Sequence, residues 1–359
     1  MPAEQQLTMK AAVYHGPRDV RMEQREVPRA APGEVVVRVT RSGMCGTDGS
    51  EWKAGPLIFP VAKPHPHSGH EGPLVLGHEF IGEVTEVGPN VTGWDPGTRV
   101  ASGAGISCGD CARCHEGRTN LCARYVTLGL NRDGGMAEYV ATPVTTLEKI
   151  PSSLSDDAAG LAQPLAVGLH AARRSRAQNG DTVVLIGAGA IGTFVLAGLK
   201  HLCDVKVIVV DFDGPRLERA SRLGADATVA VDDSTNDSMR KIIGSSGADV
   251  VIEASGAPGQ IDRAASWTRQ GGTLLQVGLP AKPQEVNVHP IVMNEITVET
   301  TLAHVCGEDL GEALEILDSS QLAAELLEGV FALSELPEQL DLLVSGEIQG
   351  KVLFDPRRD

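Results

Sequence analysis

Four cysteines, Cys108, Cys111, Cys114 and Cys122, stand in the run CGDCARCHEGRTNLC. Four thiolates at this spacing can close a tetrahedral shell around Zn²⁺, and the small residues between them let the chain wrap the ion. An iron–sulfur cluster can use a similar spacing, but nothing else in the chain points to electron transfer. A zinc ligated on all four sides has no place for substrate, so this site is expected to hold a lobe together. A second, looser set comprises Cys45, Thr47 and Asp48 in GMCGTD and His78 with Glu79 in LVLGHEFIGEV. Cysteine, histidine and carboxylate each ligate Zn²⁺, and fewer than four protein ligands leave a position for water or substrate. Taken alone, these residues fit equally well a core cysteine and a hydrogen-bonded His–Glu pair.

The third constellation is DTVVLIGAGAIGTFVLAGLKHLCDVKVIVVD, residues 181–211. A short apolar run is followed at once by Gly187, Gly189, Ile191 and Gly192, then a helical segment, a second apolar run and Asp211. The glycines would serve a tight turn, the approach of a pyrophosphate to the backbone, and close packing of helix on strand. The helix N-terminus offers free N–H groups to the phosphates. Asp211 is placed to accept from the adenosine ribose hydroxyls and would repel a 2′-phosphate, so NAD is expected over NADP; Arg216 nearby counts the other way. A glycine-rich turn in some other α/β protein is the alternative.

The elements that must position these residues change character along the chain. From Met9 to about residue 150 short strands follow one another: MKAAVYH, VRMEQREV, EVVVRVTRSG with near-alternating exposure, FIGEVTEVG, TRVASG and MAEYVATP. They predict an antiparallel β-domain with long loops. The segment SSLSDDAAGLAQPLAVGLHAARR reads as a capped helix interrupted near Pro164. From 181 to about 305, the runs TVVLI, VKVIVV, ATVAV, DVVIEA, TLLQVGL and ITVETTL alternate with helices, which predicts a doubly wound parallel sheet. EDLGEALEILDSSQLAAELLEGVF is read as helical and GKVLF as a last strand, with this C-terminal piece returning to the N-terminal domain. The fold class is therefore α/β with two domains: residues 1–164 completed by 307–359, and a dinucleotide-binding domain at 165–306. Residues 1–8 read as a polar tail.

The 359 residues carry a net charge of −16, which argues against nucleic acid or an anionic membrane as partner. No apolar stretch is long enough for a membrane span and the N-terminus has no signal-peptide pattern. Seven cysteines, four of them crowded into one loop, suit a reducing cytosol. His65, His67 and His70 read either as a lid or as incidental histidines on an exposed loop. Cys203 and Cys306 read as small core residues, and Lys351 as a solvated strand-end lysine in preference to one that approaches the cofactor phosphates. Glu253–Gly256 (EASG) either touches the nicotinamide half of a cofactor or simply ends a strand.

GMCGTD, GHEFIGEVTEVG, the four-cysteine loop, LNRDGGMAEYV and GAGAIG stand in the order seen in zinc-dependent medium-chain dehydrogenases, and from Met9 to Phe354 the chain resembles that family. GPLIFPVAKPHPHSG is similar to a loop of 2,3-butanediol dehydrogenases. CGDCARCHEGRTNLC and GLNRDGGMAEY look like threonine dehydrogenases, and LAQPLA like glucose dehydrogenases. The resemblance implies a GroES-like catalytic domain beside a Rossmann domain, NAD, and two zinc ions per subunit. It implies that Cys45 and His78 ligate a catalytic zinc, with Glu79 a ligand or close neighbour, and that Thr47 passes on the proton of the substrate hydroxyl. The active site is expected beyond the carboxyl ends of the parallel strands, between the domains. Two positions depart from many relatives: Gln163 stands where they have a glutamate ligand, and Ser50 where they have a histidine relay. The expected activity is oxidation of a secondary alcohol or polyol, a vicinal diol or sugar alcohol, by hydride transfer. Aldose or threonine oxidation is the rival, and a non-catalytic dinucleotide-binding protein is the rival from another class. A homodimer or homotetramer is expected, with ITVETTL as a strand that could pair across subunits.

Overall fold

The structure, a computed structural model, describes residues 7–358. The polar tail expected at residues 1–8 lies largely outside them; Thr8 already opens the strand Thr8–Gly16. The chain forms two compact units: one runs to Ala166 and resumes at Val305, and the other is Val167–His304. No helix among the described residues is long and apolar enough to cross a membrane.

The first unit is built around the strand Glu34–Gly43. It pairs antiparallel with Glu79–Val87, with Tyr139–Pro143 and with the C-terminal strand Lys351–Phe354. Central placement explains its burial, which is nearly continuous rather than alternating as expected. Val35, Val37 and Val39 pack with Phe80, Val84, Val100 and Leu147 in one apolar cluster. Each such side chain contributes about 1.5–3 kcal/mol on leaving water. The register brings distant residues together. Gly43 faces Glu79 across one edge and Leu353 across the other, so three segments far apart in sequence meet at one end of the sheet.

The C-terminal piece belongs to the first unit, and its content differs from the helical reading. Cys306–Ser319 and Leu322–Leu326 are helices, whereas Leu327–Phe331 is a strand and not the end of a helix. It pairs parallel with Lys351–Phe354, and that ladder outweighs the local helical pattern. A second correction concerns Pro164. The break falls at Gly160–Leu161, between Asp156–Ala159, capped by Ser155, and Ala162–Arg174. Pro164 lies in the first turn of the latter, where its missing N–H is not needed.

In the second unit six parallel strands stand in the order Ala227–Ala230, Lys206–Asp211, Thr182–Ile186, Ala248–Glu253, Thr268–Gln276, Thr297–Thr300. Alternate residues of the central strands feed two cores. Val183, Leu185, Val207 and Val209 pack with Val195 and Leu199 of the helix Ala190–Leu202, and Val184, Ile186, Ile208 and Val210 pack with Ala264 and Trp267. The order reverses at Thr182–Ile186, so the glycine turn that follows this strand sits at the switch point of the sheet.

Candidate active site

The strand Glu34–Gly43 hands the chain to the helix Gly46–Ala54, with Cys45 as its extended N-cap residue. Asp48, three residues on, turns back and accepts the Cys45 N–H through Oδ2 at 2.9 Å. His78 and Glu79 arrive with the neighbouring strand. The ligand atoms of Cys45, His78 and Glu79 lie within 4.8 Å of one another. Thr47 Oγ1 is 3.9 Å from Cys45 Sγ. Glu79 is 1% exposed, and its Oε2 receives Lys351 Nζ at 2.5 Å; the same ammonium donates to the Met44 carbonyl at 2.6 Å. Lys351 is therefore buried and paired, not a solvated strand-end lysine. Gly43 makes room for this contact: a Cβ there would stand 2.3 Å from Glu79 Oε2.

The pocket is arranged for a cation. Two buried polar atoms, His78 Nδ1 and Asp48 Oδ1, have no hydrogen-bond partner. Such an orphan costs about 1–3 kcal/mol, which a partner would recover. Burial pushes the His78 pKa down, but Cys45, Asp48 and Glu79 together carry it up to about 9. Lys351 is likewise raised, its desolvation overcome by Glu79 and Cys45. Sulfur, imidazole and carboxylate donors thus meet beside a single buried ammonium. The donor set of thiolate, imidazole and carboxylate suits zinc. Gln163 is half-buried in the first turn of the helix Ala162–Arg174. Ser50 is exposed, and its hydroxyl donates to the Gly46 carbonyl of its own helix at 3.0 Å.

The cysteine lobe fits a second ion. The Sγ atoms of Cys108, Cys111, Cys114 and Cys122 approach one another at 3.4–4.0 Å. Tetrahedral Zn–S bonds of about 2.3 Å place sulfurs about 3.8 Å apart. Backbone N–H groups of Cys108 and Arg124 donate to Cys122 Sγ at 3.3 Å each. The backbone of Ala123, then that of Cys114, holds the Cys111 thiol down at about 6. Four cysteine sulfurs would fill a tetrahedral shell and leave no open position for substrate.

In the second unit Gly187 has φ 98°, Gly189 has open space where a Cβ would stand, and a Cβ on Gly192 would lie 1.9 Å from the Gly187 carbonyl. Ile191 packs at the edge of the adjoining core. Asp211 is buried at the end of its strand and accepts the N–H groups of Ala188 (Oδ2) and Phe212 (Oδ1), each at 2.6 Å. Arg216 is half-buried on the helix Pro215–Arg222. In the first unit the loop of His65, His67 and His70 is fastened rather than free. His65 Nδ1 accepts the Ser68 N–H at 3.2 Å, and Ser68 Oγ donates to the Asn131 carbonyl at 2.5 Å. Cys306 is buried, whereas Cys203 is only half-buried.

Residues 31–152 match the alcohol dehydrogenase GroES-like domain, and residues 190–319 match the zinc-binding dehydrogenase family. The chain is 33% identical to (R,R)-butanediol dehydrogenase of Bacillus subtilis (strain 168), over 97% of this chain and 100% of that one. It belongs to the zinc-binding medium-chain alcohol dehydrogenases. Sorbitol dehydrogenase of the same bacterium is 35% identical over 81% of each chain. L-threonine 3-dehydrogenase of Paraburkholderia phymatum is 31% identical over 91% of this chain and 93% of that one. The crystal structure of 2R,3R-butanediol dehydrogenase from B. subtilis superposes with a TM-score of 0.88 at 32% identity, covering 97% of this chain and 99% of that one. A short chain alcohol dehydrogenase from E. coli CFT073, solved with NADH, reaches 0.85 at 27% identity with the same coverage.

As a member of this family the chain is an oxidoreductase acting on CH–OH groups of alcohols and polyols. The geometry gives definite contacts to three residues whose roles the sequence leaves open. Asp48 ties down the N-cap cysteine, a role its position three residues after Cys45 could have signalled. Lys351 has no local signal, because its partner lies 272 residues away. Glu253, 1% exposed, gathers the loop after its strand. Its Oε1 accepts Ser255 N at 2.7 Å and Gly256 N at 3.0 Å, and its Oε2 accepts Gln276 Nε2 at 2.5 Å.

Proposed function

We propose that the chain oxidises a secondary alcohol, foremost a vicinal diol or sugar alcohol, with NAD as hydride acceptor and with Cys45 and His78 holding a catalytic zinc. The observation that carries this reading is the convergence of Cys45, His78 and Glu79 around two orphaned buried polar atoms. Zinc bound there would lower the pKa of a substrate hydroxyl, and the nicotinamide ring would accept the hydride. Asp48 fixes the Cys45 backbone, so the thiolate is presented at the helix start without reorganisation. Thr47 Oγ1, beside Cys45 Sγ, receives the hydroxyl proton. Ser50 does not carry it further, because its own hydrogen is committed to Gly46; the proton leaves Thr47 through water. Gln163 offers a neutral carbonyl oxygen where a charged ligand would weaken the pull on an uncharged substrate.

The butanediol and sorbitol dehydrogenases among the relatives support the diol or polyol class. The threonine dehydrogenases support amino-alcohol oxidation as the second reading. Asp211 supports NAD, since a buried carboxylate beside the glycine turn would repel a 2′-phosphate. A homo-oligomer is part of the proposal: Thr297–Thr300 is the last strand of its sheet, and Val298, Val292, Met293 and Leu302 are exposed. None of the seven cysteines is in a disulfide, in keeping with a reducing cytosol. The test is NAD⁺ reduction across butanediols, sorbitol, threonine and glucose, before and after chelation. Turnover with a diol or sugar alcohol, abolished by chelation, is expected. Turnover with threonine alone would move the assignment to the second reading.

A further inference from the structure

Arg219 is 6% exposed on the helix Pro215–Arg222, and one arm of its guanidinium donates to the Ala188 carbonyl, 31 residues earlier, at 3.1 Å. A guanidinium is costly to bury unless its hydrogen bonds are made. A helix that had only to pack on its sheet would fill this place with an aliphatic side chain, as Leu217 and Ala220 do on the same helix. We propose that Arg219 is a positioning residue for the dinucleotide, holding the Ala188–Gly189 peptide so that the Gly189 N–H faces the pyrophosphate. The inference rests on the reading of the glycine turn as the NAD site.

Peptide geometry carries it. The carbonyl of Ala188 and the N–H of Gly189 belong to one planar trans unit and point in opposite directions. Drawing the carbonyl towards the buried guanidinium therefore turns the Gly189 N–H to the other side. Ala188 is 1% exposed, whereas a Cβ on Gly189 would meet open space, so the residue that receives this N–H is the one a ligand can approach. Thr193 Oγ1 lies 3.4 Å from the same carbonyl and supports the same orientation. Asp211 acts on the preceding peptide: its Oδ2 accepts the Ala188 N–H at 2.6 Å. The Gly187 N–H, one residue earlier, donates to the Val210 carbonyl at 2.8 Å. The two side chains are not redundant, because Asp211 fixes the Gly187–Ala188 peptide and Arg219 the next one. Glycine on either side of Ala188 makes these peptides easy to turn. A turn already held in its binding form spares the cofactor that ordering cost. The guanidinium also places a positive charge behind a turn that would receive two phosphates, in surroundings where water screens it poorly.

The experiment titrates NADH into the holoenzyme by its fluorescence, with ADP-ribose and adenosine as competitors. Adenosine has the ribose that Asp211 would meet but no pyrophosphate. Arg219→Met should weaken NADH and ADP-ribose by about tenfold, the loss of one hydrogen bond from a charged donor, and leave adenosine within about twofold. KM for NAD⁺ should rise by a larger factor than kcat falls. Arg219→Lys, which keeps a charged donor, should recover most of the lost affinity. Equal weakening of ADP-ribose and adenosine would overturn the proposal, because a residue that merely packs its helix disturbs both alike. Unchanged binding of ADP-ribose to Arg219→Met would overturn it as well. Should Arg219→Met fail to fold, Arg219→Gln decides: selective weakening of ADP-ribose is expected, and equal or absent weakening contradicts the assignment. A parent enzyme that does not bind NADH removes the cofactor reading and the proposal together, whereas a parent that binds it without the selective loss in the variants removes the proposal alone.

Discussion

The two metal-binding clusters of the first unit are opposites in construction. The cysteine lobe takes four identical ligands from one short loop, lies mostly near the surface, and closes its shell with sulfur. The Cys45–His78 site takes unlike donors from a helix start and a neighbouring strand, is largely buried, and surrounds them with Asp48, Glu79 and Lys351. The lobe has spent all its coordination on holding the chain. The other site gathers three potential ligands, of which Glu79 is already paired with Lys351. The difference teaches that the number of charged groups near a metal does not give its ligand count. What each charge is already bonded to decides whether it acts on the ion directly.

The comparison can be broken from either side. His78→Asn should lower kcat/KM by about 10³-fold, because several kcal/mol of stabilisation of the developing alkoxide are lost with the ion, while the melting temperature stays close to that of the parent. Cys111→Ser should do the reverse. The melting temperature should fall by about 5–10 °C, as the lobe loses its cross-link, and kcat of the folded fraction should be nearly unchanged. A catalytic loss from Cys111→Ser as large as that from His78→Asn would erase the distinction between the two clusters.

Smaller effects sharpen it. Asp211→Ala should weaken NAD by about tenfold, or about 1.4 kcal/mol, and narrow the preference over NADP, as read from KM for each cofactor. Acid should also act on the scaffold itself. Burial raises the carboxyls of Asp156 and Asp355, but Arg99 on the one and Arg357 with Arg41 on the other carry both below the ordinary value. A lowered carboxyl contributes stability that is present above its unfolded pKa and is lost as pH falls through the folded one. The melting temperature should therefore be level down to about pH 5 and fall below about pH 4. Removing Arg99 should flatten that fall in thermal scans. Ser50→Ala should change kcat by less than about twofold, because the hydroxyl is exposed and already bonded to its helix.

How much of the molecule is legible in its sequence depends on contact range. The cysteine loop and the glycine turn are local, so spacing alone is enough to mark them, and the strands of the second unit follow from runs of apolar residues between glycines. Cys45 and His78 are visible as residue types, but nothing local shows them meeting; the family resemblance supplies that expectation. Lys351 reads wrongly as solvated because its burial depends on the register of a C-terminal strand against Glu34–Gly43. Leu327–Phe331 reads wrongly as helix for the same reason: its helical pattern yields to a partner strand about twenty residues later. Ser50 is recognisable as a departure from the relatives, and only the structure shows where its hydrogen goes.

The most direct measurement is the zinc content of purified Cys45→Ala together with its rate of NAD⁺ reduction on the best alcohol substrate. The account predicts that one of two zinc ions is lost, that the fold and the cysteine lobe survive, and that turnover disappears. Turnover that persists in a variant holding only the lobe's zinc would contradict it.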